Sequence, residues 1–124
     1  PAGSLQLRGP GGELKIAASV GLHEDDLNLV FDDGEGLAGR AIKERAVVYS
    51  EDVTKDGGFS TKGKTQICSL IACPVLLNGK AVGVINIHAP DVQERPSPTT
   101  FEALALMSAI SAPAIELSRK SSAE

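Results

Sequence analysis

Apolar and polar residues alternate in two short runs near the start of the chain. Leu5, Gln6, Leu7 and Arg8 form the first, and Leu14, Ile16, Ala18 and Val20 mark the second. A period of two is the mark of a half-buried strand. The "GPGG" turn between them makes the pair a β-hairpin. Residues 21–30 then form a polar connection holding His23 and the acidic run Glu24, Asp25 and Asp26. From Asp33 the spacing becomes helical: Leu37, Ala38, Ala41 and Ile42 share one stripe, and Asp32 or Asp33 is expected to cap it. Gly36 and Gly39 are poor helix formers, expected where a backbone or a ligand comes close. A short strand is expected over residues 46–49. Residues 54–66 form a long loop, a lid or an insertion, in which Phe59 is the residue of buried type.

The strongest local signal is Asn78-Gly79, a two-residue turn between strands at 67–77 and 80–89. An unbroken ladder from that turn pairs Val75 with Val82, Cys73 with Val84, Ile71 with Asn86 and Ser69 with His88. Side chains alternate between faces. One face then carries Val82, Val84, Asn86 and His88 beside Val75, Cys73, Ile71 and Ser69, and is polar at one end only. Three explanations fit: a cavity over that end, plain exposure to water, or bonding of Asn86 and His88 to loop backbone. The other face, with Leu70, Ala72, Pro74, Leu76, Gly83, Ile85 and Ile87, is apolar and needs a cover. Pro74 cannot donate to a ladder, so the strand is expected to be an edge or bulged there. The cover is a helix capped by Ser97, with Pro98 in its first turn. It runs through Phe101, Leu104, Met107, Ile110, Ile115 and Leu117, and Pro113 is expected to kink or loosen it. Ala103, Leu106, Ala109 and Ala114 form a second stripe that predicts homodimerisation through this helix.

Composition narrows the function. The 124 residues suit a single domain, 1–124, with 120–124 as a tail or linker. Net charge is −4 with no basic block, which argues against nucleic acid as a partner. No apolar run reaches the roughly 20 residues of a membrane span, and no leader is visible. The chain starts at Pro1 with a strand almost at once, so excision from a longer polypeptide is expected. Cys68 and Cys73 point to opposite sides of one strand, which predicts free thiols in a reducing, cytoplasmic setting. One histidine near the hairpin and another far off in sequence make no metal site.

Three stretches in order resemble GAF domains: "DGEGLAGRAIKERAVVYSEDV" at 33–53, "SLIACPVLLNGKAVGVINIHAP" at 69–90 and "SPTTFEALALMSAISAPAIELSR" at 97–119. The resemblance implies an α+β, PAS-like fold: a central antiparallel sheet with helices on one face. Loops and short helices build a ligand pocket on the other. It also implies a sensory module in a bacterial signalling protein, whose output domain is a histidine kinase, a cyclic-di-nucleotide enzyme or a transcriptional activator. The family's usual first helix has no counterpart here and would come from the parent chain or a second subunit. Subfamily signatures are missing. Phe101 is followed by Glu102 and not by the spaced Asp-Glu pair of cyclic-nucleotide binders. Ala38 stands where relatives that reduce free methionine sulfoxide carry a cysteine. His88 sits near the place of a histidine in bilin binders, without their other motifs.

These readings converge on a non-catalytic module with an unidentified small ligand and no assigned cofactor or metal. Its candidate ligand residues are Ser69, Ile71, Cys73, Val84, Asn86, His88, Leu37 and Phe59. The alternative is a structural dimerisation module with a self-filled pocket, and a thiol enzyme ranks third because no base is placed beside a cysteine. A void of a few hundred Å³ over the sheet favours sensing. A pocket plugged by Phe59 and the lid favours dimerisation.

Overall fold

A computed structural model of the chain describes residues 2–55, 63–91 and 95–123. β1 (Ala2–Arg8) and β2 (Leu14–Val20) form the first hairpin, and β3 (Val30–Phe31) adds to β2. α1 (Gly36–Glu44) leads into β4 (Val48–Ser50), followed by β5 (Ser69–Leu77) and β6 (Lys80–Ala89). α2 (Pro98–Ala123) ends the chain. The described strands make one antiparallel sheet in the order β3-β2-β1-β6-β5-β4. The α+β architecture expected from the three family-like stretches is therefore present. Among the described residues no helix is long and apolar enough to cross a membrane.

The central hairpin departs from the expected register. Leu77 faces Lys80 and Leu76 faces Ala81, but the ladder then slips: Val75 faces Gly83, leaving Val82 without an opposite residue. From there Cys73 pairs with Ile85, Ala72 with Asn86 and Leu70 with His88. The expected pairs Cys73–Val84, Ile71–Asn86 and Ser69–His88 do not exist. One inserted residue is a β-bulge, and with a side-chain period of two it carries all of β5 below it to the other side relative to β6. Leu70, Ala72 and Pro74 thus share a face with Val84, Asn86 and His88. Ser69, Ile71 and Cys73 share the opposite face with Ile85 and Ile87.

The bulge also serves packing. It turns Val82 into the layer beneath α2, where it is buried with Val75 and Ala112 and flanked by Leu77, Ile85 and Ile115. Pro74 sits beside the slip, and the ladder with β4 ends at Ala72, so β5 is a local sheet edge where the proline lacks its donor. On the other face α1 closes a second core of Leu14, Leu37, Ala41, Val48, Val53, Leu70, Ala72 and Val84. Burying a leucine such as Leu37 contributes about 1.5–3 kcal/mol.

Local signals fared unevenly. Ser97 caps α2 as expected, its Oγ accepting from Thr100 N at 3.3 Å. α2 continues through Pro113 to Ala123. Neither Asp32 nor Asp33 caps α1; Glu35 holds that position without a side-chain cap, while its Oε1 accepts from Asp32 N at 2.8 Å. The short strand lies at Val48–Ser50 and not at 46–49. Within the polar connection Glu24–Asp26 form a 3-10 turn, and Val30 joins β3. Gly39 packs against the loop before α1: a Cβ there would stand 2.3 Å from the carbonyl carbon of Gly34. That contact generates a test. On intrinsic propensity Gly39→Ala should stabilise α1 by up to ~1 kcal/mol, but the steric conflict should reverse the sign. Urea denaturation is expected to show a net loss of roughly 1–3 kcal/mol.

Candidate functional site

The face shared by Asn86 and His88 bounds a cavity of about 110 Å³. Its floor is the sheet: Ser4 and Gln6 from β1, Ile16 from β2, Leu70 from β5, and Asn86 and His88 from β6. Leu37 and Ala38 at the start of α1 form one wall. Asp26, Leu29 and Phe31 form another, and Thr65 and Ile67 close the remaining side. The volume falls short of the few hundred Å³ that would favour sensing.

The polar floor side chains come together because β1 pairs beside β6, with Ser4 opposite Asn86 and Gln6 opposite Val84. Asn86 Nδ2 donates to Gln6 Oε1 at 3.1 Å and reaches Ser4 Oγ at 3.4 Å. Asn86 Oδ1 and His88 Nε2 are buried with no hydrogen-bond partner. Asn86 is 5 % exposed and His88 4 %. A buried polar atom without a partner costs roughly 1–3 kcal/mol, so such atoms are rare and call for an explanation.

The roof is held by a carboxylate. Asp26 accepts from the backbone N–H of Lys64 at 2.8 Å and of Thr65 at 2.7 Å, and from the Thr65 hydroxyl. Around this clamp Lys64 Nζ pairs with Asp25 at 2.8 Å, and His23 N donates to Thr65 Oγ1 at 2.9 Å. Burial pushes the Asp26 carboxyl up, but the hydrogen bonds from Thr65 and Lys64 outweigh it and hold the group below its ordinary value. An ionised carboxylate thus ties the 3-10 turn at 24–26 to residues 64–65, across the top of the cavity.

The expected site residues divide. Asn86, His88 and Leu37 line the cavity. Val84 shares their face but is fully buried in the core under α1. Ser69, Ile71 and Cys73 lie on the opposite face, carried there by the bulge, and Cys73 Sγ is 3.1 Å from Ser108 Oγ of α2. Phe59 falls outside the described residues. Sequence reasoning did not select Ser4, Gln6, Asp26, Leu70 or Thr65. Gln6 could have been found as a polar residue inside an alternating run, and Asp26 as the one apolar-flanked acid of its cluster, since Leu27 follows it. Neither position announces burial without the partner strand or loop.

Both cysteines are free, and neither lines the cavity. Burial raises the Cys73 thiol, with Ser108 opposing in part, and burial together with Asp52 raises that of Cys68. Among the described residues no three His, Cys, Asp or Glu side chains are grouped to hold a metal ion.

Two tests follow. Burial depresses the His88 imidazole below its ordinary value near 6.5. As pH falls through that value the unfolded chain gains a proton that the folded chain refuses, so stability drops. Urea melts are expected to weaken from pH 7 to pH 5, and His88→Leu should flatten that slope. Asp26→Asn should cost roughly 2–3 kcal/mol at neutral pH by removing charge-assisted bonds. The carboxylate's stabilisation is present above about pH 4 and is lost as pH falls through the lowered folded value.

Comparison with known proteins places this geometry. A GAF domain model matches residues 2–116. No curated protein matches the chain significantly by sequence. Among solved structures, the GAF domain of an Acinetobacter phosphoenolpyruvate-protein phosphotransferase superposes with a TM-score of 0.85 at 20 % identity, covering 99 % of this chain and 75 % of that one. The free methionine-R-sulfoxide reductase of Neisseria meningitidis, in complex with its substrate, gives 0.81 at 20 % identity over 97 % and 70 %. The type II enzyme of that name from Thermoplasma acidophilum gives 0.77 at 23 % over 92 % and 77 %. These likenesses are of fold. They also correct the sequence reading, which took the module to be non-catalytic and ranked an enzyme third: reductases share this fold, so the fold supports catalysis and the non-catalytic reading is withdrawn. With the family model spanning nearly the whole chain, the protein belongs to the GAF domain family.

Proposed function

We propose that this chain is a regulatory module that binds a small molecule in the cavity between the β1–β6 floor and the Asp26 clamp. The observation that carries this reading is the pair of buried, unpartnered polar atoms, Asn86 Oδ1 and His88 Nε2, on residues lining one cavity. A ligand that satisfies both would recover the free energy their burial costs. Both atoms are closed off from solvent, so a ligand reaches them by widening the cavity. Widening strains the loops tied by Asp26, which gives binding a mechanical consequence. GAF domains commonly serve sensing and regulation, and the likeness to a domain of a phosphotransferase supports such a place in a longer protein. The output domain in that reading is one of signalling type, such as a histidine kinase, a cyclic-di-nucleotide enzyme or a transcriptional activator. The free thiols Cys68 and Cys73 support a reducing, cytoplasmic setting.

A second reading, structural dimerisation, draws on two observations. The cavity is small beside the roughly 300–1,000 Å³ of common ligand pockets. α2 also exposes Leu106 at 62 %, Met107 at 59 % and Leu117 at 71 %. A second copy covering that face would remove apolar surface from water.

Two measurements separate the readings. In a metabolite screen by thermal shift, a saturating ligand should raise the melting temperature, and Asn86→Leu and His88→Leu should each abolish the rise. A screen without any such ligand would end the sensing reading. Light scattering of the intact chain should show a dimer that Leu106→Lys with Met107→Lys converts to monomer. A monomer at high concentration would end the dimerisation reading.

A further inference from the structure

A trough of about 640 Å³ opens at the turn end of the sheet. It shares no lining residue with the cavity of Asn86 and His88. Four cations line it: Arg8 at the end of β1, Lys43 and Arg45 at the end of α1, and Lys80 at the start of β6. One carboxylate, Asp33, lines it with them. The four cations are scattered in sequence and meet only in the fold. They make a local excess of positive charge on a chain of net charge −4. Lys43, Arg45 and Lys80 are exposed, and none of the three makes an ion pair or a side-chain hydrogen bond among the described residues. Arg8 is only loosely met. Its Nη2 stands 3.6 Å from Asp33 Oδ1, beyond hydrogen-bond reach, and its Nε is buried without a partner. A guanidinium is always charged and only donates, so its unmet demand is for an acceptor.

Backbone, charge and size narrow the ligand. Arg45 closes α1 in the left-handed region, at φ 54°, where glycine is the usual residue. An L side chain is strained there, so folding alone would favour glycine at this position. The carbonyl end of α1 carries roughly half a negative charge. That opposes an anion, but it is small beside four cations set against one carboxylate. The trough's volume lies within the roughly 300–1,000 Å³ of small-molecule sites. Arginine forks match phosphate oxygens, and a phosphate monoester carries about −1.5 to −2 charges near pH 7. A multiply charged oxyanion therefore suits the trough in sign and in amount. The net charge of −4 opposes docking on an anionic membrane, which favours a dissolved ligand.

We propose that this trough is an anion site for a small organic phosphate bearing two or more negative charges. It stands independently of the cavity between the β1–β6 floor and the Asp26 clamp. The intact chain is titrated with inorganic pyrophosphate, and in parallel with orthophosphate, hexaglutamate and phosphatidylglycerol vesicles. Chloride holds the ionic strength constant, and backbone resonances are followed by NMR. Pyrophosphate is expected to shift Gly34, Arg45, Gly79 and Lys80 and to leave Asn86 and His88 in place. It should bind more tightly than orthophosphate. Lys80→Gln and Arg45→Gly should each weaken it by about twofold to fivefold. Arg45→Gly should also hold or raise the melting temperature, which separates loss of charge from loss of folding. Asp33→Asn, which removes the trough's one carboxylate, should tighten binding by a similar factor. Tighter binding of hexaglutamate or of the vesicles would overturn the ligand class. Shifts scattered over the surface, an affinity that none of these substitutions changes, or no binding of any probe would overturn the site.

Discussion

The architecture turns on one inserted residue. Val82 has no opposite number on β5, and that slip decides which side chains of the central hairpin meet each layer. Because side chains alternate, a single-residue shift exchanges the two faces of a strand completely. With the bulge, Val75 and Val82 meet Ala112 beneath α2, and Leu70 and Ala72 meet Leu37 and Ala41 beneath α1. An unslipped ladder would instead have set Ser69 beside His88 and Cys73 beside Val84, and sent Leu70 under α2. Both registers bury apolar groups, but the observed one lets Cys73 reach Ser108 and seats bulky Leu70 in the α1 core.

The second constraint is the Asp26 clamp. It joins two loop segments that are far apart in sequence, and it does so with backbone donors, which hold a carboxylate oxygen in a defined place. The floor below it is built differently. There Gln6 and Ser4 satisfy the donors of Asn86, while Asn86 Oδ1 and His88 Nε2 remain unpaired. A roof tied by Asp26 thus lies over a floor that holds two of the three buried side-chain atoms without a partner among the described residues, the third being Arg8 Nε outside this cavity. Proteins keep such costs where function repays them.

Membership of the GAF family describes the scaffold more than the chemistry on it. Solved structures of the same fold include a domain of a phosphotransferase and reductases of free methionine sulfoxide. What distinguishes one use from another is the set of side chains on the sheet face, the contents of the cavity and the surface of the helix that covers the back. Here those are Asn86 and His88, a pair of carboxylates, and an α2 that leaves Leu106, Met107 and Leu117 in water.

Much of the fold was legible from the order of residues alone. Alternation marked β1 and β2, the Asn78-Gly79 turn marked the central hairpin, and Ser97-Pro98 marked the start of α2, because propensity and turn chemistry act over a few neighbouring residues. The close approach at Gly39 was legible for the same reason: glycine in a helix has few other uses. The face assignment of Ser69, Ile71 and Cys73 was not, since a bulge reflects the competing demands of two packed layers that only meet in three dimensions. Nor was the site's full membership. Asn86 and His88 were visible as polar interruptions of an apolar strand, but Gln6, Asp26 and Thr65 join them through strand pairing and loop closure. Local sequence therefore determined the elements and two of the site's residues, and tertiary packing determined their register, their partners and the cavity between them.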